Sequence, residues 1–296
     1  MTQFLSLLLS GLSLGALYSL IALGFVILFK ASEVVSFTQG SLLLLGAFII
    51  ARFHGSLGFF PSVLLGIALT AVIALVIERG LINPLRGAPV ISLAIMTIGI
   101  DILITTELTR RIGSDILNVG QPWGGKAVRF GSVGVTENRL IAAVVAAALI
   151  VAFFATFKYS SWGVAMRAAA EDGETAALMG IKLGRVSALA WVVAGVLSAV
   201  AGLFLVGAPT PGVSPAIGSV ALRAFPAAIL GGLDSTGGAL VGGLIIGVVE
   251  TMTAGYQGNL LFLGRGFGDV VPYVVMILVL LVRPSGLFGT RELTRV

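Results

Sequence analysis

"WGVAMRAAAEDGETAALMGIKLG", residues 162–184, is the stretch on which the reading of this chain turns. It carries five charges in 23 positions, Arg167, Glu171, Asp172, Glu174 and Lys182, in a chain only 10% charged. Long apolar runs flank it on both sides. Two helix-prone pieces, Val164–Ala170 and Glu174–Met179, are separated by Asp172-Gly173 and stopped by Gly180. The segment is too polar to enter lipid and too short to form a domain. A short exposed helix gains little stability alone, so the pattern predicts an element that docks on a partner. Leu178 and Met179 would be its apolar anchors, and Ala168, Ala176 and Ala177 would permit close approach. The alternative is a solvated amphipathic loop lying on the headgroups.

The surroundings set the class. The chain has 296 residues, 57% of them hydrophobic, and a mean hydropathy of +1.10. That apolar excess predicts an all-α polytopic membrane protein. Forty glycines suit helices packed closely in a bilayer. A net charge of +5 raises nucleic acid as a partner, but the basic residues mostly occupy short loops between apolar runs, which fits membrane orientation instead. With no cysteine there is no disulfide, thiolate metal site or thiol nucleophile. The single His54 beside Gly55 reads as an interfacial residue, and no metal site is expected. There is no G-x-x-x-x-G-K-[ST] to cradle ATP, nor a Ser/His/Asp set, so no catalytic residue is expected.

Apolar segments fall at about 4–29, 37–51, 59–78, 90–108, 139–157, 186–207, 218–232, 237–256 and 269–282. This gives eight to nine transmembrane helices in one domain, 1–296. The first run lacks a preceding basic residue and is long enough to span, so it reads as a retained helix and not a cleaved signal. The 37–51 and 218–232 segments are short for a bilayer about 30 Å thick, and are candidates for broken or re-entrant helices. Loops on one side hold ten Lys and Arg and those on the other seven. The bias places 158–185 and the C-terminus in the cytoplasm and the N-terminus outside. The external loop, about 109–138, alternates in a way that suggests a small hairpin.

Buried charges are the first functional candidates in a membrane. Asp101 falls near mid-bilayer, Arg223 lies inside the short 218–232 segment, and Glu250 sits near the end of its span. Each carboxylate is a candidate either to line a path facing Arg223 or to form a structural pair; for Glu250 the structural role is favoured. "SFTQGS" at 36–41 precedes a short apolar run. A helix starting near Gln39 would present unsatisfied N–H groups and a partial positive charge to a passing solute. Ser36, Phe37, Thr38, Gln39, Thr97, Asp101 and Arg223 are therefore the candidate path residues, with Asp101 placed to attract an ammonium group. Gly11-x-x-x-Gly15, Gly238-x-x-x-Gly242 and Gly243-x-x-x-Gly247 predict tight helix contacts.

The chain also resembles a known family. "MRAAAEDGETAALMGIKLGRV" (166–186) is similar to the cytoplasmic coupling loop of ABC importer permeases, specifically the branched-chain amino-acid permeases of the LivH type. The likeness includes "GLSLGALYSLIALGFVILFK" (11–30), "VVSFTQGSLLLLGAF" (34–48), "TIGIDILI" (97–104), "ALRAFPAAILGGLDSTGGALVGGLIIGVVE" (221–250) and "RPSGLFG" (283–289), in that order. The resemblance implies an inner-membrane permease subunit importing an amphipathic small solute. Its implied partners are a second similar permease or a second copy, two cytoplasmic ATPases and an external solute-binding protein. ATP and Mg would act on the ATPases, with no cofactor in this chain. Arg167, Ala170, Glu171, Asp172, Glu174, Ala176, Gly180 and Ile181 match the coupling loop. The family pattern reads Asn-Phe-Ala-x-Gly-Glu where this chain has Ser36-Phe37-Thr38-Gln39-Gly40-Ser41, Lys at Arg223 and Gly at Asp234. Cargo is thus open between branched-chain or related amino acids and urea or short amides. An ion-coupled secondary transporter is the reading from another class.

Overall fold

The computed structural model describes residues 2–114, 116–123, 127–130, 133–206, 212–263 and 266–290. Its helices are α1 (Thr2–Ser32), α2 (Gln39–Leu57), α3 (Phe59–Ile77), α4 (Val90–Ile112), α5 (Glu137–Tyr159), α6 (Ser161–Glu171), α7 (Gly173–Leu178), α8 (Leu183–Leu205), α9 (Gly218–Gly231), α10 (Thr236–Gly255) and α11 (Phe267–Val282). Strands β1 (Ala127–Phe130) and β2 (Val133–Thr136) form an antiparallel hairpin, pairing Ala127 with Thr136 and Phe130 with Val133. The hairpin expected between α4 and α5 is present, although residues 115, 124–126 and 131–132 of that loop lie outside the described residues. Arg110 and Arg111 belong to the end of α4, not the loop, and both bond Glu107.

Among the described residues, seven helices are long and apolar enough to cross a membrane; Pro215–Gly231 and Phe267–Val282 are shorter apolar helices. All nine apolar runs are therefore helical. One expectation needs correcting: the 37–51 run is not a short span. Alpha-helix α2 continues for 19 residues through Arg52 and His54 to Leu57 and ends at Gly58, whose φ of +81° L-residues rarely adopt. Polar side chains in a last turn reach the interface without breaking the helix. Helix α9, at 14 residues, is short as expected. Its Pro226 removes the hydrogen bond to the Leu222 carbonyl, and Tyr273 Oη donates to that carbonyl instead at 3.1 Å.

The centre is α1, buried from Ala16 to Leu28. It packs antiparallel to α10 through glycine. A Cβ on Gly11 or Gly15 would lie 2.8 Å from the Cα of Val248 or Leu244, and one on Gly247 would land on the Gly15 backbone. Ser19 Oγ donates to the Leu240 carbonyl at 2.9 Å, continuing the same register. Gly242 meets the Ala227 carbonyl in the same way, bringing α9 against α10. Bilayer helices have no hydrophobic drive toward each other, so this close dispersion contact is what holds them. Beyond α9, Leu287 N–H and Phe288 N–H donate to the Leu230 and Gly231 carbonyls at 2.8 and 3.1 Å. Asp234 accepts from Thr290 N–H at 2.7 Å, so the residue that departs from the family pattern ties down this tail.

Gly247→Ala should cost about 1–3 kcal/mol, as overpacking does, whereas Gly237→Ala, which meets open space on the same helix, should be neutral or slightly stabilising. Apparent melting temperatures of the detergent-purified protein check this. Equal melting of the two variants would refute the α1–α10 contact.

Candidate functional site

Helix α2 begins inside the protein, and its first turn touches that of α9, which continues from a 3-10 turn at Pro215–Ile217. A Cβ on Gly40 would lie 2.8 Å from the Gly218 carbonyl oxygen. Beside this contact is a cavity of about 240 Å³ lined by Phe25, Phe37, Phe225, Asp101, Thr105 and Ser219, among others. The Phe225 ring sits 5.2 Å from that of Phe25 and 6.1 Å from that of Phe37. Aromatic walls with one carboxylate suit a small solute that has an apolar body and a polar or cationic end.

The first turn of α2 is not left vacant. Ser41 N–H donates to Asp101 Oδ1 at 3.0 Å, and Phe37 N–H donates to Thr97 Oγ1 at 3.2 Å. Helix α4 therefore answers donors that the sequence suggested would face a solute, because a buried N–H demands a partner. Asp101 acts first as that partner, and it also lines the cavity. Ser36 (2% exposed), Thr38 (0%), Gln39 (0%) and Thr97 (2%) lie behind the wall, not on it. Ser36 Oγ and Thr38 Oγ1 bond each other at 2.9 Å, and Gln39 Oε1 accepts from Ser198 Oγ. Of the seven candidate path residues, the cavity brings together only Phe37 and Asp101.

Arg223 lies on another face of α9 and does not meet Asp101. Its Nη1 is 3.2 Å from Glu250 Oε1 and 2.9 Å from Asp269 Oδ1. Tyr18 Oη donates to Glu250 Oε2 at 2.8 Å. Glu250 is thus the facing carboxylate, in the structural pair favoured for it.

The charged stretch between α5 and α8 folds as two helices broken at Asp172, as its sequence predicts. Ser160 caps α6 by accepting from Gly163 N–H at 3.0 Å. Asp172 caps α7, accepting from Thr175 N–H at 2.9 Å and Thr175 Oγ1 at 2.6 Å. These bonds, the side-chain one first, hold the Asp172 carboxyl below its ordinary range. Buried Met166 and the Trp162 Nε1 bond to the Val186 carbonyl at 3.2 Å dock α6 on the bundle. Leu178 and Met179 remain 83% and 81% exposed, with Glu171, Glu174, Ala177 and Gly180 also exposed.

One assignment changes. Ala176 is buried at 4%, so it packs α7 inward and offers nothing to a partner. Arg167 turns back onto the end of α5, donating to the Phe157 carbonyl and stacking 5.4 Å over the Phe157 ring. The free carbonyls of a helix C-terminus draw a cation in this way.

Sequence reasoning missed Glu78 and Arg86. Glu78 opens a π-helical turn, Glu78–Ile82, and is fully buried. Arg79 Nε and Arg86 Nη2 lie 3.6 and 3.8 Å from its carboxylate. Arg86 Nη2 also donates to the Leu183 carbonyl at 2.9 Å, where the α6–α7 segment enters α8. Glu78 closing an apolar run was the available signal, since a carboxylate there needs a cation nearby.

The residues 7–280 match the model of a family described as the branched-chain amino acid transport system permease component. The high-affinity branched-chain amino acid transport system permease protein LivH of Salmonella typhimurium is 33% identical over 99% of this chain and 98% of its own length. The corresponding permease protein BraD of Pseudomonas aeruginosa is 32% identical over 99% and 98%. The probable LivH of Methanocaldococcus jannaschii is 29% identical over 91% and 88%. With its seven helices long and apolar enough to cross a membrane, this chain is a multi-pass membrane protein of the family of branched-chain amino acid transport system permease components.

Proposed function

We propose that this chain is the permease subunit of an ATP-binding-cassette importer that carries branched-chain amino acids across the bacterial inner membrane. The observation that carries the ATP-driven part is the capped α6–α7 segment, which holds Leu178 and Met179 out from the bundle. Two rigid helical turns ending in exposed apolar side chains fit a cleft on a partner. The partners in this reading are two cytoplasmic ATPases, which hold the ATP and Mg, a second permease or second copy, and an external solute-binding protein. The chain serves as one permease domain, with 158–185 and the C-terminus cytoplasmic and the N-terminus outside. The cargo follows from the names of the relatives and from the Phe25–Phe37–Phe225 cavity, whose apolar walls suit an aliphatic side chain better than urea.

Leu178→Arg and Met179→Arg should each reduce recovery of the ATPases with the tagged permease by about tenfold or more, the scale on which apolar anchors contribute at interfaces. The permease itself should still insert. Normal ATPase recovery with both variants would overturn the docking assignment.

Arg86 gives the segment a route into the bundle, through Leu183 to Glu78. Arg86→Lys keeps the charge but loses the guanidinium whose Nη2 donates to the Leu183 carbonyl and lies 3.8 Å from Glu78. It should lower solute carried per ATP hydrolysed while ATPases still bind. An unchanged ratio in proteoliposomes would remove this contact from the coupling path.

Since the chain has no cysteine, introduced thiols label without background from this chain. Ser219→Cys, on the exposed side of the cavity, should react with small water-soluble thiol reagents at rest. Thr38→Cys, fully buried here, should react only during ATP turnover. Thr38→Cys inert under all conditions in transporting vesicles would exclude the α2 start from the path.

A further inference from the structure

Helix α9 has a second cavity on its Arg223 side, away from the Phe37–Asp101 junction. Its volume is about 190 Å³, room for roughly six waters at ~30 Å³ each. Leu14, Leu17, Phe204 and Val220 give it an aliphatic and aromatic side, while Arg139, Arg223 and Glu250 give it a charged one. Two of these charges are already matched: Glu250 accepts from Tyr18 and Arg223, and Arg223 also meets Asp269.

Arg139 differs. It stands in the first turn of α5, which Ser13 Oγ pins to α1 by donating to the Arg139 carbonyl at 2.6 Å. Among the described residues no carboxylate comes within 4 Å of its guanidinium. A half-buried guanidinium beside a cavity favours an anion there, since desolvation without a partner is costly. A guanidinium with no carboxylate partner among the described residues, next to an apolar wall in a single small cavity, complements the carboxylate and aliphatic side chain of an amino acid.

We propose that this cavity is a second station for an amino acid, with Arg139 taking the carboxylate and Leu14, Leu17 and Val220 receiving the aliphatic side chain. The proposal rests on the amino-acid permease reading above. It makes α9 a partition between two solute sites, one with a cationic end at Arg139 and one largely aromatic.

The test uses the whole transporter, permeases and ATPases together, in nanodiscs and in proteoliposomes supplied with the binding protein. Tritiated leucine is the probe, and 3-methylbutylamine, which lacks the carboxylate, is the competitor. The wild type should bind leucine and prefer it to the amine. Arg139→Gln should weaken leucine binding about tenfold or more and erase that preference, while Arg139→Lys should keep part of it. Val220→Trp, which fills the cavity and leaves every charge in place, should also abolish binding. Leucine binding unchanged in both Arg139→Gln and Val220→Trp overturns the site, as does leucine uptake by a wild type that binds none in nanodiscs. Failure of the wild type to take up any branched-chain amino acid overturns the permease reading itself.

Discussion

The backbone-to-backbone approach of α1 and α10 is the constraint from which the other positions follow. Gly11 and Gly15 on one helix and Gly243 and Gly247 on the other leave no room for a Cβ. With α10 fixed on α1, Gly242 brings α9 in beside it, and α9 sets where Arg223 and Phe225 point. In a bilayer this order matters, because apolar side chains gain as much from lipid as from each other. Contact at the level of the main chain is a geometry that lipid cannot imitate.

A second requirement acts where helices start inside the protein. Every main-chain donor that the membrane withholds from water must find an acceptor in the fold. Asp101 and Thr97 meet that need for α2, and Tyr273 occupies the carbonyl that Pro226 leaves open in α9. The residues best suited to meet a solute are thus partly engaged in holding the helix ends. A cavity wall of Phe37, Phe225 and Asp101 remains, with the hydroxyls packed behind it.

How far the sequence could be read depended on the range of the interaction. Apolar runs, small-residue spacing and the Asp172-Gly173 break are local patterns, and the helices, the α1–α10 face and the α6–α7 division follow them directly. Residue roles set by distant partners were harder to see. Asp101 meets Ser41 across sixty positions, so its capping role was invisible in the spacing. Arg167 and Ala176 belong to a charged, alanine-rich segment, and only the docking of α6 and α7 shows that Ala176 is buried and that Arg167 bonds back to the end of α5. Arg139 was counted as an orientation charge at a helix start. Glu78 ends an apolar run in the sequence, but the Arg86 beside it reaches the Leu183 carbonyl, almost a hundred residues away, which spacing does not show.

Helix α11 has a further consequence. Its 16 residues span about 24 Å at 1.5 Å per residue, against a hydrocarbon thickness of about 30 Å. Ile277, Leu278, Leu281 and Val282 lie on its exposed side. Where this helix meets lipid, thinning of the bilayer or snorkelling of flanking side chains accommodates it, at a cost that grows with each ångström of mismatch. Asp269 at its first turn is bonded to Arg223, so that cost bears on the position of α9 as well. The Asp269–Arg223 pair thus joins the helix that is short for a bilayer to the helix that is short within the bundle.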